Sequence, residues 1–159
     1  MITRDEDAQA LTDQIIQESF PDLWNEKIVV AFEDTPDCFL LYGTLKEGRF
    51  KTYYIDIDPL MQTAPIDAFR GGLIHEVSHI SRDKSMTFID HMLYKFFQSY
   101  RIMDERNTDL TALIRGYGRE MLAFETFAQK HRHANGEGIT LTEYQKLVSP
   151  IPDLAHRNS

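Results

Sequence analysis

The residues of this chain whose types and spacing most directly suggest chemistry are His75-Glu76-Val77-Ser78-His79. On an α-helix, positions four apart are offset by about 40° around the axis and about 6 Å along it, so His75 and His79 point the same way and can share one metal ion. Neutral imidazoles suit Zn2+. A glutamate one position along is close enough to act on a metal-bound water without being a ligand. The motif therefore predicts the centre of a zinc-dependent hydrolase, with His75 and His79 as ligands and Glu76 as general base. The same spacing can arise by accident on a solvated helix face. Here Leu73, Ile74, Val77 and Ile80 make most of the circumference apolar, so the helix is expected to be buried and its polar residues to need partners.

A catalytic zinc ion keeps three protein ligands and leaves a fourth position for water. Asp83 lies about 12 Å along the helix axis from His75, too far to close the same tetrahedron. The extended motif HExxHxxGxxH is excluded because Arg82 and Ser85 stand where it needs Gly and His. Glu105 is preferred among the remaining carboxylates. It lies in Asp104-Glu105-Arg106-Asn107-Thr108-Asp109, where Asp109 shares its helical face and can accept a hydrogen bond from the far ring nitrogen of a ligand histidine. One unbroken helix over residues 85–115, folded back on the metal helix, would hold Glu105 about 30 Å from the turn and His79 about 5 Å from it. A break is therefore expected within Phe97–Asp104, although neither Gly nor Pro marks one. Tyr117, Arg115, His131 and His133 are alternative donors to a developing oxyanion, and the sequence does not choose among them. His131, His133 and His156 form at most an incidental metal-binding group.

The elements that must position these residues follow from periodicity. Ala8, Leu11, Ile15 and Ile16 predict an amphipathic helix from Asp5 to Phe20, stopped by Pro21. Three β-like runs follow, Lys27–Glu33, Cys38–Leu45 and Phe50–Asp58, separated by turn-rich segments that read as an antiparallel meander. The third run alternates Tyr54, Asp56 and Asp58 against Tyr53, Ile55 and Ile57, which suggests a half-exposed edge strand able to hold an extended peptide. The metal helix is expected over Pro65–Arg82, with Gly71-Gly72 allowing close approach to the sheet. From Ser85 to Lys130 the pattern is helical. Phe88, Met92 and Phe96, with Ile89, Leu93, Phe97 and Tyr100 beside them, read as core, as do Leu110, Leu113, Ile114, Met121, Leu122, Phe124 and Phe127. Thr140-Leu-Thr-Glu143 fits a capping box opening a short helix over 141–148, and Pro150–Ser159 reads as a loose tail.

At 159 residues, with ordinary apolar and charged content, the chain reads as a single domain of the α+β class. The expected architecture is a small antiparallel three-stranded sheet on the zinc helix, followed by further helices. A net charge of −8 opposes nucleic acid and anionic membranes. The single cysteine, Cys38, excludes both an internal disulfide framework and a thiolate-rich zinc site, and suits a small buried apolar position. The acidic, polar N-terminus does not resemble a signal peptide, so a cytoplasmic protein is expected.

HEVSH followed by Glu105-x-x-x-Asp109 is similar to the gluzincin metallopeptidases. The short chain, with ERNTD and then RGYGREMLAF, most closely resembles the minigluzincins over roughly residues 50–130. This resemblance implies His75, His79 and Glu105 as zinc ligands, Glu76 as general base and acid, and Asp109 as support for a ligand histidine. It also implies a small sheet above the metal helix with an edge strand along the cleft, a peptide or protein substrate, and latency through a terminal segment lying in the cleft, for which both ends of the chain, residues 149–159 among them, are candidate material and between which the sequence does not choose. The contrasting expectation is a zinc-stabilised binding or regulatory module without turnover. A weaker one is an enzyme that cleaves a DNA-binding regulator.

Overall fold

Helices and a three-stranded sheet make an α+β arrangement, seen in a computed structural model that describes residues 2–35, 38–48, 50–131 and 138–149. The first helix, α1 (Asp5–Ser19), carries Asp5, Glu6 and Asp7 in its first turn, where negative charge complements the helix dipole, and ends before Pro21. It buries Ala8, Ile15 and Ile16. Strands β1 (Lys27–Phe32), β2 (Leu40–Glu47) and β3 (Phe50–Ile57) follow.

The sheet is mixed and its order is β1-β3-β2, which corrects the expected antiparallel meander. β2 and β3 form an antiparallel hairpin, but β1 runs parallel to β3, with Val30 opposite Ile55. β3 is therefore the central strand and not the edge. Its alternation is as read, with Tyr53, Ile55 and Ile57 buried and Tyr54 and Asp56 half-buried. That alternation reports the two faces of a strand and says nothing about which of its edges is paired. The free edge of β1 is occupied by α1. Gln9 bonds Ile28 O and Val30 N at 3.1 and 2.9 Å, and Asp5 accepts from Phe32 N at 2.9 Å. β2 is left as the edge that faces the site.

Helix α2 (Ile66–Ser85) continues three residues past its expected end, and Pro65 stands just before its first turn. Leu73, Ile74, Val77 and Ile80 are fully buried. Gly71 lies against α5 (Gly118–Lys130) rather than the sheet, and a Cβ there would overlap the Glu120 carbonyl. Gly72 lies between Leu40 of β2 and the Phe124 ring. The expected break occurs at Phe97, whose extended backbone (φ −124°, ψ 116°) separates α3 (Phe88–Phe96) from α4 (Gln98–Ile114).

Helix α3 does not supply core. Phe88, Ile89, Met92, Phe96 and Phe97 are exposed, as are Leu110 and Ile114 of α4. Helical spacing placed these residues on common faces. The turn at Phe97 lays α3 mainly against α4, fastened by a Tyr100–Asp90 hydrogen bond of 2.8 Å, with His91 reaching Asp83 of α2 at 3.8 Å, and among the described residues its outer apolar face stays exposed. Helix α6 (Leu141–Val148) opens with the expected Thr140–Glu143 capping box. Cys38 lies just ahead of β2 and is half-buried rather than part of the core. The tail from Pro150 lies outside the described residues. No helix among the described residues is long and apolar enough to cross a membrane.

Candidate metal centre

The i, i+4 spacing on α2 brings the two imidazoles together, and the reorientation at Phe97 swings α4 across them. His79 Nε2 lies 3.1 Å from His75 Nε2 and 3.3 Å from Glu105 Oε2, and His75 Nε2 lies 3.5 Å from the same oxygen. Tetrahedral ligands bound at about 2.0–2.2 Å stand about 3.3–3.6 Å apart, so this triangle has the size a single zinc-like ion requires.

The outer nitrogens explain why the inner ones need a cation. His75 Nδ1 bonds Asp109 Oδ1 at 3.0 Å. An ionised carboxylate can only accept, so that ring nitrogen carries the proton and Nε2 presents a lone pair. His79 Nδ1 faces Thr108 Oγ1 at 3.3 Å and Asp104 Oδ2 at 3.8 Å. Three acceptors, two imidazole nitrogens and a carboxylate oxygen, thus converge on one point. His75, His79 and Glu105 form a group able to hold a metal ion. Burial alone would lower the pKa of His75, but its bonds to Asp109 and Glu105 outweigh that and hold it well above the ordinary imidazole range, so without an ion Nε2 takes up a proton towards Glu105 that a bound cation would displace. Burial would likewise raise Glu105, yet His75 and His79 hold it far below the usual carboxylate range.

The expected residues come together. Glu76 is buried beside the triangle, and its Oε2 accepts from the Tyr42 backbone N–H of β2 at 3.2 Å. Asp109 is held from both sides: Oδ1 takes His75, and Oδ2 takes the Ile139 N–H at 2.6 Å. Gly138 packs so closely on that oxygen that a Cβ there would overlap it. Asp83 bonds Lys51 at 2.5 Å instead of approaching the centre. Of the alternative oxyanion donors, Tyr117 shares a hydrogen bond with Ser19, and Arg115 donates to Ser19 O and lies over the Phe20 ring. His131 bonds Phe127 O. None of these three lines the cavity at the metal centre. His133 and His156 lie outside the described residues.

Several positions around this group escape the sequence reading. Asp104 is buried behind His79 and held by Arg82 at 2.5 Å, an arrangement signalled only by its place beside Glu105 and one turn before Thr108. The Tyr42 ring stacks on His79, with centroids 5.3 Å apart. Tyr94 and Tyr144 line a cavity of about 340 Å³ that opens on His75, Glu76, His79 and Glu105. β2, α5 and α6 all contribute to its lining, and the volume suits part of a peptide or a small ligand. Comparison of the chain with protein-family models, curated proteins and solved structures gives no match.

Proposed function

We propose that this chain is a zinc-dependent peptidase of the minigluzincin type, with a minimal zincin-like arrangement of sheet, metal helix and ligand-bearing helix. The observation that carries the reading is the convergence of three acceptor atoms beside a buried glutamate, at a cavity bordered by the free edge of β2. His75, His79 and Glu105 would hold the ion. When bound there, zinc supplies Lewis-acid polarisation of a carbonyl and activation of water near neutral pH. Glu76 takes the proton of the attacking water and returns it to the leaving amine nitrogen. The Tyr42 N–H fixes the carboxylate that performs both transfers. Asp109, with Asp104 and Thr108, keeps the imidazoles turned so that Nε2 faces inward.

A peptide suits this site better than a compact substrate. Strand alternation points the backbone groups of Leu40, Tyr42 and Thr44 away from β3, along the side where Tyr42 meets Glu76. An extended chain can pair with the remaining groups by strand addition. The purified protein is expected to carry one zinc per chain and to cleave a mixed peptide library, with cleavage abolished by a chelator and restored by zinc. Full zinc occupancy without cleavage of any library peptide would favour the binding or regulatory module instead.

A further inference from the structure

The cavity at the metal centre carries a carboxylate that the proposed hydrolysis does not use. On α5, Met121, Phe124, Glu125, Ala128 and Gln129 line it, so a carboxylate with an amide beside it interrupts an apolar wall. Glu125 is half-buried, and its hydrogen bond is a long one, 3.4 Å from Gln129 Nε2. Among the described residues no lysine or arginine pairs with it, whereas Glu120 on the same helix has Arg70 and Glu143 on α6 has Arg106. Burial pushes the Glu125 carboxyl up. On α6, Tyr144 also lines the cavity; it is almost wholly buried and its hydroxyl makes no hydrogen bond among the described residues. Such an orphaned buried hydroxyl calls for a partner. Burial pushes the Tyr144 hydroxyl up, and the neighbouring charges of Asp109 and then of Glu125 push it the same way. Four carboxyl groups face the cavity, Glu76, Glu105, Asp109 and Glu125, and among the described residues no lysine or arginine lines it.

We propose that Glu125 and Tyr144 form a subsite for a basic side chain, so that the substrates are peptides with lysine or arginine at the residue lodged against α5 and α6. The inference rests on the peptidase reading for the word substrate, but the subsite itself is a matter of binding. A lysine stem lies along Phe124 and Ala128, and its ammonium head donates to the Glu125 carboxylate and to Tyr144 Oη. A neutral or acidic side chain would leave the carboxylate without a counter-charge in a partly desolvated wall, or repel it.

The test uses the zinc-loaded full-length protein and three N-acetylated hydroxamates, of lysine, norleucine and glutamate, with affinity measured by calorimetry. The hydroxamate group anchors each compound on the metal, so the series reads the side chain without requiring turnover. Lysine is expected to bind at least tenfold tighter than norleucine, and glutamate weakest. Glu125→Gln should shrink the lysine advantage to less than threefold, and Tyr144→Phe should weaken the lysine compound while leaving norleucine unchanged. Equal binding of lysine and norleucine in the unmodified protein would overturn the subsite, as would a lysine advantage that survives Glu125→Gln, or no hydroxamate binding at all. Lysine preference without cleavage of any peptide would defeat the peptidase reading and leave the subsite standing. Chelator-sensitive cleavage without preference for basic residues would do the reverse.

Discussion

The orientation of His75 depends on a residue that never touches the metal position. Asp109 fixes the His75 ring through Nδ1 and is itself held by the Ile139 N–H. Removing it frees the ring and the tautomer, so Asp109→Ala is expected to weaken zinc binding by about 10- to 100-fold, read by competition with a chromophoric chelator. An unchanged affinity would mean that the Asp109 bond contributes nothing to the centre. His75, Glu76 and His79 were legible in the sequence because their chemistry depends on local spacing within one helix. Glu105 and Asp109 were legible by elimination and by their own four-residue spacing. Asp104 and Arg82 were not. Their bond joins two helices, and nothing along the chain announces that Asp104, rather than another carboxylate, turns inward behind His79.

Elements built from local signals formed where those signals predicted. The capping box opens α6, the metal helix is buried on the expected face, and the chain turns at Phe97, within the interval where a Glu105 ligand required a break. What remained hidden was how elements meet. The order β1-β3-β2 is a matter of partner choice, and the apolar stripe of α3 could not tell whether a second layer would cover it. Helix α6 illustrates how a small element acts on the site. It is fastened by the Arg106–Glu143 ion pair, with Arg106 also donating to Gly138 O, next to the Ile139 N–H that holds Asp109. Arg106, with the Thr140 N–H and hydroxyl, pulls the Glu143 carboxyl down to about 2 from an ordinary value of 4.5. A group depressed on folding stabilises the folded state above its unfolded pKa, and that contribution is lost as pH falls through the folded one. Docking of α6 should therefore be constant above about pH 4.5 and weaken progressively towards pH 2. Hydrogen exchange of the Glu143 and Tyr144 amides reports this directly, and protection that is independent of pH across the window would show that the ion pair does not hold the helix.

Taken whole, the molecule subordinates ordinary helix patterning to its centre. Helix α4 turns Asp104, Thr108 and Asp109 inward and leaves Leu110 and Ile114 outside, the reverse of an amphipathic surface helix. Such local conflicts concentrate at functional sites, where placing the right groups outweighs burying the most apolar area. A metal ion bound by two residues of α2 and one of α4 would join the two helices as well as serve the chemistry. The account's central claim is that Glu76 moves protons at a metal centre and is not one of its ligands. The measurement that tests it most directly is the zinc content and peptide-library digest of Glu76→Gln beside the unmodified protein. One zinc per chain is expected in both, with hydrolysis falling by at least about 100-fold in the variant. Unchanged hydrolysis in Glu76→Gln, or loss of its zinc, would contradict the account.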